Sequence, residues 1–312
     1  METQMNNYGY CCINMDLSDI GIKTNRGMVK KTFLQKGKEY AGELFLYNVR
    51  DLIEILKWNH TNGIKVYRMS SAICPWMSEY EISELPNYNK IKVMLASAGK
   101  LIKETGQRVS FHPGAFTIIC SPNDSINEKG IKDLAQHGEI MDLMGLPKTQ
   151  MSAINIHVGG TYGNKDETLA RFCSNFEKLS DSVKSRLVVE NDDKGSMYSV
   201  KDLYEGIYKK IGVPITFDFH HHRFCNGGLS EEQALRLASL TWDVKQLTHY
   251  SSCKKTHEDK TVKAQAHADY IYEKINNYGL SFDIEIESKA KERAVLKYIS
   301  TQHLLLDSYL PI

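Results

Sequence analysis

VSFH (residues 109–112), INIH (154–157), LVVE (187–190), ITFD (215–218), QLTH (246–249) and DIEIE (283–287) are six short, largely apolar runs. Each ends in a side chain able to ligate a metal: His112, His157, Glu190, Asp218, His249 and Glu287. Successive ligands lie 45, 33, 28, 31 and 38 residues apart, room for roughly one strand and one helix each time. Parallel strands set side by side bring their C-terminal ends to one face, so six residues distant in sequence converge there. A lone His or Glu at a strand end is usually satisfied locally or solvated. Six in phase would leave several polar groups at the rim of one core, a costly arrangement unless something shared satisfies them. Three imidazoles and three carboxylates so placed imply a site for more than one metal ion.

Two further runs, YGYCCIN (8–14) and IKVYRMSS (64–71), bring the expected strands to eight. Helices are expected between them, at about 89–104, 127–144, 166–182, 199–211, 230–243, 265–278 and 289–303, and one before residue 63. In that first helix Val49, Leu52, Ile53 and Leu56 recur at helical spacing and Gly63 follows as a stop. Ser199 with Asp202, and Ser230 with Glu232 and Gln233, have the pattern of helix starts. Eight strands alternating with eight helices predict an α/β chain of the (β/α)8 TIM-barrel class, with the metal cluster at the C-terminal ends of the strands. Barrels of this kind often exceed 250 residues as one unit, so residues 1–312 read as a single domain.

With 39 Lys plus Arg against 38 Asp plus Glu, no global field draws the chain to nucleic acid or membrane. Attraction to an anion must be local. The stretch from Gly21 to Lys38, read as a loop after the first strand, carries Lys23, Arg26, Lys30, Lys31, Lys36 and Lys38 and no acid. A charge run is usually a solvated face, but this one should project from the rim where the ligands converge and so can meet phosphates. Lys254, Lys255, Lys260 and Lys263 form a weaker patch interrupted by acids. Seven scattered Cys without CxxC spacing point to a reducing compartment. The N-terminus lacks a charged start with an apolar core, and no stretch approaches the length of a membrane span, so an intracellular protein is expected. His60, His137, His257 and His303 carry no functional reading.

GYCCIN (9–14), LKWNHTNGIKVYRMSS (56–71), CPW (74–76), FHPG (111–114), NIHVGG (155–160), VVEND (188–192), FDFHHH (217–222), HYSS (249–252), HADYI (267–271) and DIEIESKAKE (283–292) follow one another along nearly the whole chain. In this order they resemble the ultraviolet damage endonuclease family, related in fold and metal site to endonuclease IV. The resemblance implies a DNA repair nuclease that binds distorted duplex, flips the damaged pyrimidine pair out of the stack and cuts immediately 5′ to it. Its implied needs are two or three divalent ions, manganese first with zinc or magnesium also chemically suited, and no nucleotide cofactor. Damaged double-stranded DNA is the implied partner, and a monomer is expected.

Carried over by the same resemblance, Glu190 is the bridging carboxylate and His112 and His157 share one ion with it. Asp218, His249 and Glu287 complete a second. His221 and His267 belong to a third, whose remaining ligand stays open with Asp269 as a candidate. Strand periodicity alone favours His220, which shares a face with Asp218, and only the resemblance selects His221. The chain is expected to leave the sheet after Phe219, with His220 and His222 capping, touching phosphate or solvated. Tyr10 and Asn14 match residues near the lesion pocket, though their chemistry equally suits a core Tyr and a strand-end Asn. Trp76 reads as pocket wall or barrel plug.

The pattern departs from its relatives twice. Where most continue after the FHPG motif with Gln and an aromatic that wedge into the duplex, this chain has Ala115 and Phe116; where they often carry His, it has Glu79. Three rivals share parts of the reading. A sugar isomerase or epimerase of the same barrel type would not explain the basic stretch, an abasic-site nuclease differs in lesion preference alone, and a non-catalytic binder would have no use for six ligands.

Overall fold

Eight parallel strands close on themselves: β1 Asn7–Cys11, β2 Val66–Met69, β3 Arg108–Phe111, β4 Ile154–Ile156, β5 Leu187–Glu190, β6 Ile215–Asp218, β7 Gln246–Tyr250 and β8 Phe282–Ile286. Each pairs with the next and β8 pairs back to β1, so the barrel has no free edge. The structure is a computed structural model and describes residues 6–307; the His303 side chain lies outside the described residues. In chain order the helices are α1 Met15–Asp19, α2 Lys30–Thr61, α3 Tyr88–Thr105, α4 Asp124–Leu143, α5 Lys165–Phe176, α6 Asp181–Lys184, α7 Val200–Leu203, α8 Lys209–Ile211, α9 Phe219–His222, α10 Glu231–Ser239, α11 Lys254–His257 and α12 Lys291–Asp307. The fold is the expected TIM barrel.

Strand alternation sorts the side chains into two cores. Tyr67, Phe111, Ile154, Leu187, Val189, Ile215 and Phe217 pack with the helices in one large buried cluster, while Val66, Ala153, Val188 and Leu247 form a second small one. Toward the opposite mouth, Arg108 and Asp283 pair at 3.1 Å, both nearly buried, and Lys245 approaches Asp283 at 2.7 Å. Arg108 also donates through Nη1 to the Lys245 carbonyl and through Nη2 to the Gln150 carbonyl, while its buried Nε makes no hydrogen bond.

Two expectations fail. No helix forms over residues 265–278. Its backbone is committed elsewhere: Ala268 N–H donates to the Ser252 carbonyl, and the carbonyls of Ala268 and Asp269 accept from Lys289 and Ala290. Glu273 accepts from Ser252 and from Tyr250 Oη, which fixes the segment as an irregular strap. The stretch up to Lys38 is not all loop either, because α2 begins at Lys30. Gly37, at φ 62°, bends it in a conformation that side chains rarely adopt. Lys30, Lys31, Lys36 and Lys38 therefore lie on the opening turns of a helix.

Asp283→Ala should strip buried Arg108 of its carboxylate and cost about 3–5 kcal/mol. Urea unfolding measures this; a midpoint equal to the parent's contradicts the plug's role.

Candidate metal centre and nucleic-acid face

The candidate ligands occupy one end of the barrel because each strand delivers its own at or just past its last residue. Glu190, Asp218 and His249 close or nearly close β5, β6 and β7, whereas His112, His157 and Glu287 stand one residue beyond β3, β4 and β8. Their donor atoms fall into three groups, His112 with Glu190 and His249, His157 with Glu190 and His221, and Asp218 with His249 and Glu287. The last is the expected trio. The first two redistribute the expected pairing of His112 with His157, placing His221 beside His157 rather than apart with His267.

Glu190 is the hub. Its Oε2 lies 3.0 Å from His112 Nε2, 3.1 Å from His249 Nδ1 and 3.7 Å from His157 Nε2, and its Oε1 lies 3.1 Å from His221 Nδ1. Asn155 Nδ2 donates to it at 2.5 Å. Burial pushes the Glu190 carboxyl up, but the imidazoles of His249, His157, His112 and His221 outweigh that and hold it well below the usual carboxylate range. Burial also opposes ionisation of Glu287, and Arg68 and His249 reverse it. Asp218 goes the other way, raised by burial and by the charges of Glu190 and Glu287 against those of His221 and His249. Burial disfavours the His221 cation, yet Asp218 and Glu190 raise it to about 11. His112 is lowered by burial.

His221 reaches the site because β6 stops at Asp218, one residue earlier than expected. The Asp218 side chain caps α9 by accepting from His221 N–H at 2.7 Å, and a helical turn then carries His221 inward. His220 and His222 are not solvated. His220 is buried with Nε2 at 3.1 Å from the Gln265 carbonyl, and His222 packs against Phe217. His267 stands at the edge, 3.6 Å from Glu287. Asp269 does not join it, since it pairs with Lys254 at 3.0 Å.

The donor set fits divalent ions. Glu190 Oε1, Asp218 Oδ2, His249 Nδ1 and His267 Nδ1 are buried and make no aligned hydrogen bond, which in an apolar barrel is costly unless a shared cation completes them. Oxygen and imidazole donors without clustered thiolates suit manganese, magnesium or zinc.

Sequence reasoning missed Asn155, Asp192 and Arg68. Asp192 Oδ1 lies 3.1 Å from His157 Nδ1, and Arg68 Nη1 lies 2.5 Å from Glu287 Oε1. A signal existed for Asn155: two residues before a ligand on a strand is the same inward face, where a polar side chain must have a task.

Around this centre, Phe116 projects from the loop after β3 and is 94% exposed, with Ala115 exposed beside it. Thr117 anchors the loop through Asp133 at 2.6 Å. Next to it lies a cleft of about 530 Å3 lined by Phe116, Glu79, Ser71, Lys129, Lys132 and Asp133. Tyr10 and Asn14, read either as neighbours of a lesion pocket or as a core Tyr and a strand-end Asn, are fully buried. Tyr10 Oη donates to Asn59 and accepts from Asn14, whose Oδ1 caps α1. Trp76 stacks on Phe33 and donates to the Met28 carbonyl, which makes it a wall. Lys30, Lys31 and Lys36 are exposed, Lys38 approaches Glu84 at 3.4 Å, and Arg26 is tied to Asp51 at 2.6 Å.

Residues 6–308 match the model of the family described as UV-endonuclease UvdE. The chain belongs to that family. It is 35% identical over 302 residues to the UV-damage endonuclease of Schizosaccharomyces pombe, covering 93% of this chain and 49% of that one, so it spans about half that relative's length. With the UV DNA damage endonuclease of Bacillus mycoides it shares 35% over 286 residues, 86% of this chain and 85% of the other. The crystal structure of SacUVDE superposes with a TM-score of 0.84 at 30% identity, over 96% of this chain and 99% of that one. A putative xylose isomerase from Rhodospirillum rubrum aligns with a TM-score of 0.57 at 13% identity, over 83% and 94% of the two chains, and this likeness shows the fold alone.

Two outcomes test the candidate centre and the basic helix. A divalent ion held by these donors would have to displace protons from His221 and its neighbours, so apparent Mn2+ affinity should rise about tenfold per pH unit for each proton displaced. Loading a weakly buffered sample should acidify it, and an affinity that is flat from about pH 6 to pH 9 contradicts the assignment. Replacing Lys30, Lys31, Lys36 and Lys38 by Ala should weaken binding to damaged and undamaged duplex alike and flatten the dependence of affinity on salt. An unchanged salt slope with loss on one lesion type alone would mean that these lysines read damage.

Proposed function

We propose that this chain, as one endonuclease domain acting as a monomer, incises the damaged strand of duplex DNA immediately 5′ to cyclobutane pyrimidine dimers and 6-4 photoproducts, and also at abasic sites. The observation that carries the reading is the convergence of three donor groups on Glu190 beside an exposed aromatic loop, in a chain of the UV-endonuclease UvdE family. His112, His157, Glu190, Asp218, His221, His249, His267 and Glu287 would hold two or three divalent ions, manganese foremost. The chemistry supplied there is activation of a water, neutralisation of the phosphate oxygens and stabilisation of the leaving 3′ oxygen. The products would be a 3′ hydroxyl and a 5′ phosphate.

The chain's own residues do the rest. Lys30, Lys31 and Lys36 hold the backbone without reading sequence, which suits an enzyme that must act wherever damage lies. Phe116 fills the gap left by the extruded bases, a step costing a few kcal/mol. Ala115 contributes neither bulk nor an amide to that gap. Lesions that already unpair the helix are therefore favoured over the milder cyclobutane dimer.

Duplexes carrying a cyclobutane dimer, a 6-4 photoproduct, an abasic site or no lesion, incubated with Mn2+, test the reading. Incision of the abasic duplex alone would reassign the chain as an abasic-site nuclease, and no incision of any duplex would refute nuclease function. Glu190→Gln should lose cleavage by several orders of magnitude while still binding duplex. Ala115→Gln should raise single-turnover incision at the cyclobutane dimer by up to about tenfold, equivalent to about 1.4 kcal/mol. An unchanged ratio between the two photoproducts would leave the wedge to Phe116 alone.

A further inference from the structure

A carboxylate on β8, Glu285, belongs to none of the three donor groups. Glu285 lies two residues before Glu287 on the same inward face of β8, is 1% exposed, and is the register partner of His249 on β7. Its two oxygens face different neighbours. Oε1 accepts from Ser110 Oγ, and Oε2 lies 3.0 Å from His249 Nε2 and 3.7 Å from Arg68 Nη1. His249 Nε2 and Glu285 Oε2 are both buried, make no aligned hydrogen bond to any group, and stand 3.0 Å apart.

We propose that Glu285 is the positioning residue of the metal centre: its Oε2 accepts the Nε2 proton of His249 and thereby leaves Nδ1 as the free donor toward Glu190, Asp218 and Glu287. This rests on the metal centre proposed above. An imidazole ligates through one nitrogen only when the other carries the proton, and an acceptor fixed behind the ring decides which. His249 stands in two of the three donor groups, with Nδ1 at 3.1 Å from Glu190 and 3.5 Å from Glu287. A ring turned about its axis would disturb both groups together. Ser110 on one oxygen and Arg68 on the other keep the Glu285 carboxylate from swinging away. Arg68 also contacts Glu287, so one network fixes a ligand from β7 and a ligand from β8.

A plainer role is charge balance for buried Arg68, and the two roles separate by substitution. Both Glu285→Leu and Glu285→Gln remove the charge, but the Gln side chain keeps an acceptor. Its amide oxygen can face His249 and Arg68 while its NH2 donates to Ser110 Oγ. Positioning therefore predicts that Glu285→Leu lowers Mn2+ affinity by about 10- to 100-fold while Glu285→Gln stays within about threefold of the parent.

The experiment is Mn2+ binding followed by the paramagnetic resonance of the free ion. Long-range 1H–15N spectra of the zinc-loaded, histidine-labelled protein accompany it. The parent and Glu285→Gln should show the His249 ring with its proton on Nε2, and Glu285→Leu should lose that signal. Equal losses in the two variants would assign Glu285 to charge balance and overturn the proposal, as would parental affinity and an unmoved ring signal in Glu285→Leu. A Leu variant that fails to fold leaves the decision to Glu285→Gln, where a loss beyond tenfold overturns the proposal and parental behaviour with the ring signal retained supports it. A parent that takes up no divalent ion would instead defeat the metal centre, and this inference with it.

Discussion

A carboxylate with no access to water sits where four imidazoles meet, and the rest of the site is arranged around it. Glu190 can stay ionised in the barrel only because His249, His157, His112 and His221 surround it and Asn155 donates to it. Removing any one partner leaves an ion in an apolar setting, where an uncompensated charge costs several kcal/mol. The closed sheet meets this demand without loops. Strands β3 to β7 deliver the partners from fixed backbone positions, and α9 adds His221 through a single capped turn.

The same constraint accounts for the barrel's internal stratification. One mouth is plugged by Arg108, Asp283 and Lys245, and a thin apolar layer of Val66, Ala153, Val188 and Leu247 follows. Above it Arg68, Ser110, Asn155 and Glu285 form a polar floor for the ligands. In the plug Arg108 meets Asp283, and in the floor Ser110 and Arg68 meet Glu285. The apolar layer keeps the plug and the centre from competing for partners.

Much of this was legible in the sequence because a strand's apolar run ends where its candidate ligand begins. Val109, Phe111, Ile154, Ile156, Leu187, Val188 and Val189 announce buried strands, and the residue that interrupts each run marks the rim. What period-two reading could not supply was the change of period at Asp218. There a side chain caps a new helix and so brings His221, not His220, to the centre. Nor could composition foresee the strap at residues 265–278. Its conformation is set by long-range bonds to Ser252, Lys289 and Ala290, which local propensity does not contain. Tyr10 and Asn14 illustrate a third limit, since a polar side chain near a strand end can face its own helix as easily as a ligand.

The loop after β3 joins His112 to Phe116 with only three residues between them. A chain that short spans at most about 14 Å even when fully extended. Side chain 116 cannot enter a duplex without tethering the strand to within a few nucleotides of side chain 112. The covalent chain thus works as a ruler. With Phe116 as the proposed wedge and His112 as a proposed metal ligand, recognition and hydrolysis would share a fixed offset along the DNA, set by loop length and indifferent to the bases between.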